Sequence, residues 1–358
     1  MTKAYIALEQ ALVVARDDSG TWTATACLAG QQPHCVAVDP FRPERVYCGT
    51  FDQGLWRSDD AGETWRPVGA GIAHPAVMAV AVSLLEQAGG YGVVYAGTEP
   101  SALYRSINGG ASWQEDQPLT TLPSSPEWSF PPRPHTHHVR WITPDQHVRG
   151  RLFACVEAGA LVRSDDDGAT WRDRTPDGPR DTHTLATHPR VAGRLYSAAG
   201  DGVLRSGDGY AESDDAGETW RRVADGLAHQ YLWGVAVDPA NPETVIISAA
   251  HSPEQAHHPL RANATLYRKT TGTAWQEART GLPDTQGTII PVLAAHQTES
   301  GTFYAASNKG LFRSGDAGET WERVPLPWPD HDRFHPVQGL VVTKPVCKVV
   351  PQAVDYAV

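Results

Sequence analysis

The stretch RSDDAGETW at residues 57–65 recurs along the chain and decides the fold. Its close copies are RSINGGASW (105–113), RSDDDGATW (163–171), ESDDAGETW (212–220) and RSGDAGETW (313–321), and its shortened copies are RDDSGTW (16–22) and RKTTGTAW (268–275). The tryptophans that end these copies lie roughly 40 to 60 residues apart, and a period of that length indicates an array of similar supersecondary units. Seven copies therefore predict seven similar small sheets.

The repeated motif has the chemistry of a hairpin turn that is closed by its own side chains. An Asp or Asn side chain accepts backbone N–H bonds within such a turn, and Gly takes the position with φ > 0. We therefore predict that these residues form turns rather than catalyse a reaction, and that the serines two positions earlier do the same. The residues concerned are Asp60, Asn108, Asp166, Asp215 and Asp316.

The motif resembles the Asp-box, or bacterial neuraminidase repeat, whose pattern is Ser-x-Asp-x-Gly-x-Thr-Trp. The resemblance covers nearly the whole chain and implies an all-β, seven-bladed β-propeller with the boxes on turns away from the ligand. Families with this repeat include sialidases, xyloglucan-degrading glycosidases, sortilin-type receptors and photosystem assembly factors, so the fold alone does not define a function. Sialidases carry an Arg-Ile-Pro near the start, an arginine triad and a tyrosine nucleophile. The nearest string here, PFRPERVY at 40–47, is typical of a turn, and sialidase activity is not expected.

Apolar runs that end at a turn, as buried strands do, form a second recurrence. They align as seven inner strands: HCVAVDP (34–40), VMAVAVS (77–83), HHVRWITP (137–144), HTLATHP (183–189), WGVAVDP (233–239), IIPVLAAH (289–296) and VQGLVVT (337–343). The last run follows the final box, and the first box has no inner strand of its own. We therefore expect a single propeller domain over 1–358 in which closure between 4–28 and 335–343 removes the free sheet edges. Residues 344–358 would form a tail.

The composition argues against several classes of partner. A formal net charge of −11 and a pI near 5.7 do not suit binding to a phosphate backbone, so nucleic acid is not an expected partner. The N-terminus lacks a signal-peptide pattern, and no apolar stretch approaches membrane-spanning length. Five cysteines without CxxC spacing disfavour disulfides and a cysteine-rich zinc site, which favours a cytoplasmic location. The sequence does not determine the oligomeric state.

The starts of the inner strands should meet at one opening of the propeller. Aligning the strands at their ends makes the following positions equivalent: His34, Met78, His138, His183, Trp233, Pro291 and Gln338. The turns between the second and third strands supply a mostly acidic ring: Glu9, Asp52, Glu99, Glu157, Asp201, His251 and Asn308. We therefore expect histidines and carboxylates to converge at this mouth.

Imidazoles and a carboxylate from different strands form a suitable site for a divalent metal such as Zn²⁺, Mn²⁺ or Fe²⁺. His138 and His183 lie on adjacent predicted blades, and Glu157 shares a blade with His138, so these three are the first choice. The candidate metal ligands are His34, His137, His138, His183 and His257. A single histidine at a strand start more often bonds a neighbouring loop, so the hypothesis depends on the cluster.

Three segments depart from the repeat, and all are predicted at the same mouth: 114–136, 201–209 and 251–264. Long loops in compact folds are usually functional, although tolerated surface insertions are the alternative. The first segment carries Trp128, the second Arg205 and the third Arg261. The candidate substrate-binding residues are Trp128, Arg140, Trp233 and Arg261.

These residues favour a hydrolase- or lyase-type enzyme acting on a small polar or anionic substrate. A bound metal would polarise a substrate oxygen and lower the pKa of bound water. Glu157, Asp201 and Arg205 are the candidate catalytic residues, with arginine pairing with an anionic substrate. Two alternatives stay open: a metal-free glycoside hydrolase that uses a carboxylate pair, and a non-catalytic binding or assembly scaffold.

Overall fold

A computed structural model of the chain describes residues 2–115, 117–328 and 334–343, and the tail predicted at 344–358 lies outside the described residues. The strands are β1 (Thr2–Leu8), β2 (Leu12–Asp18), β3 (Thr21–Cys27), β4 (Pro33–Asp39), β5 (Arg42–Thr50), β6 (Leu55–Ser58), β7 (Arg66–Pro67), β8 (Ala76–Ala88), β9 (Tyr91–Glu99), β10 (Leu103–Ser106), β11 (Gln114–Glu115), β12 (Val139–Pro144), β13 (Leu152–Val156), β14 (Ala160–Ser164), β15 (Thr182–His188), β16 (Val191–Ala199), β17 (Tyr210–Ser213), β18 (Arg221–Arg222), β19 (Tyr231–Val237), β20 (Val245–Ala250), β21 (Thr265–Lys269), β22 (Gln276–Ala278), β23 (Val292–Ala295), β24 (Phe303–Ser307), β25 (Gly310–Ser314), β26 (Glu322–Arg323) and β27 (Val337–Thr343).

Helices contribute little to the described chain. One short α-helix, α1, spans Pro253–His257, and 3-10 turns span Leu119–Thr121, Ser125–Glu127 and Asp201–Val203. Among the described residues, no helix combines the length and the apolar character needed to cross a membrane.

The strands form seven antiparallel sheets that stand in a ring. The sheets are β27-β1-β2-β3, β4 to β7, β8 to β11, β12 to β14, β15 to β18, β19 to β22 and β23 to β26. The sheet of β12 to β14 has three strands, and a single bridge between Arg163 and Arg172 extends it. The inner strands contact one another in a closed circle, in the order β27, β4, β8, β12, β15, β19, β23 and back to β27. The chain is therefore an all-β, seven-bladed propeller.

The C-terminal strand closes this ring as the sequence predicts. β27 pairs antiparallel with β1, from Lys3 opposite Thr343 to Leu8 opposite Val337. β1 thus has a neighbouring strand on both sides, and its central segment, residues 4–7, is fully buried. The pairing joins the two ends of the described chain and leaves no open inner edge.

The repeated motif forms the predicted turns. In the copy at 163–171, the Asp166 carboxylate accepts hydrogen bonds from the backbone N–H and the hydroxyl of Thr170, at 2.8 and 2.6 Å. The Ser164 hydroxyl donates to Asp166 and accepts from the Gly168 N–H, each at 2.9 Å. Asp167 and Gly168 both adopt left-handed φ values, 63° and 89°. The turn role predicted for the motif's Asp and Ser residues is therefore confirmed here.

In two copies of the motif, the tryptophan that ends it is hydrogen-bonded to the neighbouring blade. The indole N–H of Trp113 donates to the carbonyl oxygen of Val68 at 2.8 Å, and Trp275 bonds Val223 in the same way at 2.8 Å. Trp113 is buried in an apolar cluster with Tyr47 and other residues of the preceding blade. The repeat therefore encodes both the turn and a contact that holds two adjacent sheets together.

Candidate functional site

A cavity of about 510 Å³, the mouth cavity, lies where the inner strands begin. The residues at or just before the strand starts line it: His34, Met78, His138, Arg140, His183, Tyr231, Trp233, Ile290, Val337 and Gln338. A second space of about 280 Å³, the axial chamber, is lined by the following residues of the same strands. Met78, Arg140, Trp233 and Gln338 line both spaces. The inner strands thus begin around one opening, as the sequence predicts.

In most blades, the inner strand pairs irregularly near its start, and the residue left unpaired there lines the mouth cavity. The register of β4 with β5 passes from Pro33 to Cys35 and leaves His34 unpaired. The same irregularity occurs on five more blades and leaves these residues unpaired: Met78, Arg140, His183, Trp233 with Gly234, and Gln338. A β-bulge bends the strand and re-aims a side chain. Six of the described inner strands therefore use a bulge to place a residue in the mouth cavity.

The bulges correct the sequence alignment of one blade. Aligning the strands at their prolines equates His138 with His34, whereas the structure equates Arg140 with His34 because both occupy the bulge. Asp145, directly after this strand, accepts a backbone N–H two positions ahead at 2.7 Å, as Asp39 does at the end of β4 at 2.9 Å. The aspartate, and not the proline, marks the equivalent turn. Arg140 is therefore a mouth residue by position.

Glu157 lies at the centre of the polar cluster in the mouth cavity. His138 Nε2 is 2.9 Å from Glu157 Oε2, and Arg140 Nε is 3.8 Å from the same oxygen. His183 Nε2 is 3.8 Å from Glu157 Oε1. Burial raises the pKa of Glu157, but the His138 hydrogen bond and the charges of His138, His183 and Arg140 outweigh it and hold that pKa at about 2. Glu157 is thus held in its ionised form.

Asp181 is a second carboxylate in the cavity, and sequence reasoning missed it. Its Oδ1 accepts the Ala158 N–H at 2.7 Å and lies 3.6 Å from His183 Nε2. Burial raises the pKa of Asp181, and the charges of Glu157 and Asp201 raise it further against the opposing effects of His183 and the Ala158 N–H. Asp181 precedes His183 by two positions, and such spacing in extended chain turns both side chains to one side. That spacing is the signal that could have identified it.

His183 is oriented by the next blade. Its Nδ1 lies 2.6 Å from the carbonyl oxygen of Leu232, which can only accept a hydrogen bond, so Nδ1 carries a proton. Nε2 then faces the oxygens of Asp181 and Glu157. The lone pair of an unprotonated Nε2 and the two carboxylate oxygens would repel one another, so a hydrogen-bond donor or a cation placed between them is favourable.

The remaining predicted histidines differ in their access to the cavity. His34 lines it, and its buried Nε2 has no hydrogen-bond partner in the described part of the chain. Burial, with Arg140 and His138, lowers the pKa of His34 to about 3. His257 on α1 lies 3.0 Å from the Tyr231 hydroxyl, and burial with His183 and Arg140 lowers its pKa to about 4. His137 instead contacts the edge of the Trp128 ring, with ring centroids 5.6 Å apart, and does not line the cavity.

The segment at 114–136 covers one side of the mouth cavity. Phe130, Pro131, Pro132 and Arg133 line it, and the Phe130 ring meets His138 edge-on with centroids 4.8 Å apart. Arg133 fixes the segment through two hydrogen bonds to Glu99, at 2.7 and 2.6 Å. Trp128, predicted to bind substrate, lies elsewhere: it is 5 % exposed and its indole N–H donates to the Ser124 hydroxyl.

Three further predicted site residues lie outside the cavity lining. Asp201 accepts backbone N–H bonds from Arg180 and Asp181, so it supports the Asp181 loop instead of reaching the opening. The side chains of Arg205 and Arg261 are 67 % and 64 % exposed, and each pairs with a neighbouring acid. Segment 251–264 still contributes Pro253 and His257 to the lining, whereas segment 201–209 contributes nothing to it.

One set of candidate metal ligands differs in a single member from the trio first predicted from the sequence. Glu157, Asp181 and His183 each offer one ligand atom, and these atoms lie within 4.8 Å of one another. That trio has His138 in place of Asp181, and of the five histidines predicted as ligands this set contains His183. In the structure, His138 Nε2 is engaged with Glu157 Oε2, the oxygen that does not face His183.

No family model matches the sequence. A probable oligoxyloglucan-reducing end-specific xyloglucanase from Neosartorya fischeri is 30% identical over 154 residues, which cover 39% of this chain and 19% of that protein. A xyloglucanase from a Paenibacillus species is 26% identical over 278 residues, which cover 67% of this chain and 26% of that protein. The matched stretches thus span about a fifth to a quarter of these relatives.

Solved structures of similar shape include two GH74 enzymes. The Niastella koreensis GH74 enzyme has a TM-score of 0.65 at 17% identity, with 89% of this chain and 52% of that chain covered. An ancestral GH74 enzyme has a TM-score of 0.62 at 18% identity, covering 95% of this chain and 40% of that chain. The structure of YCF48 bound to D1 peptide has a TM-score of 0.56 at 16% identity, with 82% of this chain and 81% of that chain covered. At these identities the likeness is one of fold alone: this chain shares the propeller fold of these structures.

Proposed function

We propose that this chain is a glycoside hydrolase that cleaves a sugar bond held in the mouth cavity. The observation that carries the proposal is the pair Glu157 and Asp181, two neighbouring carboxyl groups whose pKa values are shifted in opposite directions. Environments that separate the pKa values of two acids are how one site obtains both an ionised group and a proton donor. The two curated relatives are xyloglucanases, which supports glycoside chemistry.

The spacing of the two acids suits a double displacement. One oxygen of each acid lies no more than 4.8 Å from the other, which is too close for the separation of about 6.5–9.5 Å in inverting glycosidases and favours the closer pairing, about 5–5.5 Å, of retaining ones. Glu157 Oε1 attacks the anomeric carbon as the glycosidic C–O bond breaks, and Asp181 gives its proton to the departing oxygen. Water then attacks the glycosyl–Glu157 ester, and its proton returns to Asp181. This proposal predicts a product with the anomeric configuration of the substrate.

The walls of the cavity suit a small organic ligand. A volume of about 510 Å³ falls within the range of roughly 300–1,000 Å³ typical of ligand pockets. Phe130, Tyr231 and Trp233 contribute aromatic surface to the lining, and the two carboxyl groups cluster with His138 and His183. Few polar groups in an apolar, concave site are the usual arrangement for orienting a substrate.

The proposal is tested with a panel of nitrophenyl glycosides and xyloglucan oligosaccharides. We expect the intact protein to hydrolyse at least one of them and Asp181→Asn to lower kcat by about 10²-fold or more, since general acid catalysis supplies about 10²–10⁴-fold. Asp166→Asn, an exposed turn residue, is the matched control and should keep kcat within about twofold. Failure of the intact protein on the whole panel, or equal rates in both variants, would contradict the proposal.

Metal-assisted hydrolysis is a second candidate, favoured by a separate observation. His183 Nε2 lies 3.6 Å from Asp181 Oδ1 and 3.8 Å from Glu157 Oε1. Two ligands of a tetrahedral ion with bonds of about 2.1 Å lie about 3.4 Å apart, so small shifts would accommodate one ion. Such an ion would polarise a substrate oxygen.

Calorimetric titration of chelator-treated protein with Zn²⁺ and Mn²⁺ separates the two candidates. Binding of one equivalent that is lost in His183→Ala and retained in His258→Ala supports the metal site. His258 is the matched control because it lies just beyond α1, is exposed and does not line the cavity. Absence of binding by the intact protein refutes this candidate and leaves the carboxylate pair.

A further inference from the structure

The guanidinium of Arg140 is buried but has no hydrogen-bond acceptor among the residues that the structure describes. Arg140 is 4 % exposed, and the carboxylate oxygen nearest to it, Glu157 Oε2, is 3.8 Å from its Nε. That oxygen already faces His138 Nε2 at 2.9 Å. An arginine carries five N–H donors, and a buried charge normally has its donors satisfied. Arg140 therefore has donors left for a ligand.

The surroundings of Arg140 leave its N–H edge available. The guanidinium carbon lies over the Trp233 ring, 4.5 Å from its centroid, so on this side the group meets an aromatic ring and no acceptor. Arg140 lines both the mouth cavity and the axial chamber, and it is the bulged residue of β12. A planar guanidinium that lines the cavity with N–H donors unbonded matches the two oxygens of a carboxylate.

The other arginine of the mouth cavity is already paired. Arg133, on the segment at 114–136, donates two hydrogen bonds to Glu99 at the end of β9. Within the described lining, Arg140 is thus the arginine left to meet an incoming anion. The position is also unusual among the bulged residues, since the equivalent places carry two histidines, a methionine, a tryptophan and a glutamine.

We infer that Arg140 receives the carboxylate of an acidic sugar, so that the substrate is a uronic acid glycoside and not a neutral glucan. This inference rests on the proposed glycoside hydrolase and names its substrate class. The sugar carboxylate would bind at the boundary of the mouth cavity and the axial chamber, with the glycosidic bond turned towards Glu157 and Asp181. The charge of Arg140 would then select the sugar, and the two acids would act on it.

The test measures binding without turnover. Methyl 1-thio-β-D-glucuronide and methyl 1-thio-β-D-glucoside differ only in a carboxylate in place of a hydroxymethyl group, and their sulfur linkage resists hydrolysis. Calorimetric titration of the full chain should give at least tenfold tighter binding of the glucuronide. Arg140→Gln should remove this preference, and the exposed Arg66→Gln should retain it as the matched control. Arg140→Lys keeps the charge without the fork, and we expect several-fold weaker glucuronide binding with unchanged glucoside binding.

The outcomes distinguish this inference from the proposal on which it rests. Equal affinity for both sugars, no affinity for either, or a preference that survives Arg140→Gln would overturn the inference. Inorganic phosphate that binds as tightly as the glucuronide would also overturn it, because the site would then select charge alone. Thermal unfolding verifies that each variant folds, and Arg140→Lys carries the test if Arg140→Gln does not. Glucuronide binding without hydrolysis of any glycoside would refute the hydrolase and keep the Arg140 site.

Discussion

Asp316 on a box turn and Glu157 in the mouth cavity have similarly lowered pKa values but reach them through different partners. Burial raises the pKa of both acids. For Asp316, bonds from the Thr320 side chain and N–H, from Ser314 and from the Glu319 N–H bring the value to about 2. These groups lie within four residues of it. For Glu157, the value of about 2 depends on His138, His183 and Arg140, which lie 17 to 26 residues away along the chain.

The difference shows that a perturbed pKa does not by itself identify a functional residue. The bonds of Asp316 begin and end within its own turn, so they serve the turn. The partners of Glu157 come from two blades and enclose a cavity, so a ligand can meet them. The following experiments separate these two environments, starting with the largest expected effect.

Neutralising each acid in turn should affect catalysis only in the cavity. Glu157→Gln removes the nucleophilic carboxylate and should lower kcat on a cleaved glycoside by about 10⁴-fold or more. Asp316→Asn should leave kcat within about twofold, because the turn lies outside the cavity. Steady-state kinetics of both variants on the same substrate provide the measurement. A comparable loss in both variants would mean that the turn positions the site.

Protonation of Glu157 in acid should make the protein less stable. Its folded pKa of about 2 lies below the ordinary value of 4.5, so its contribution is complete above pH 4.5 and is lost as the pH falls towards 2. At 1.36 kcal/mol per unit, the loss between pH 5 and pH 3 is about 2 kcal/mol. Urea unfolding at the two pH values measures it. The Glu157→Gln side chain does not titrate, so this variant should lose less stability between pH 5 and pH 3 than the intact protein does. An equal loss in both proteins would rule out this role of the carboxylate.

Removing a box carboxylate should destabilise the fold without changing chemistry. Asp316→Ala breaks the bonds to Thr320 and Ser314 and should lower the free energy of unfolding by about 1–2 kcal/mol. Asp316→Asn should cost less than half of this, because Asn108 already forms the same turn in another blade, accepting the Ser112 N–H at 2.9 Å. Denaturant titration compares the two variants. Equal losses would show that the charge matters more than the accepted bonds.

The surface arginines should have the smallest effect. Arg205→Ala and Arg261→Ala remove exposed side chains, and such ion pairs contribute less than about 1 kcal/mol. We expect kcat/KM to stay within about twofold in each variant. A tenfold decrease in either one would place its segment over the mouth cavity during turnover and would restore the role predicted from the sequence.

Local chemistry was sufficient to predict the scaffold. The turn at each box closes through bonds between residues two to four apart, so its sequence is enough to recognise it, and counting the boxes predicts the blades. The closing role of 337–343 followed because a first blade without an inner strand needs one. The convergence of His34, His138 and His183 on one cavity followed from the order of the blades.

Only the tertiary structure decided which polar groups meet inside that opening. The sequence named Arg140 as a candidate, but the bulge that brings it to the axis depends on pairing between two strands, and the alignment placed His138 at that position instead. Asp181 entered the site because the Asp201 carboxylate holds its loop, while Trp128 turned into the core to bond Ser124. Sequence alone determined the repeating scaffold, since each turn is stabilised by its nearest neighbours along the chain. The site was decided by register and loop packing, because its partners come from different blades.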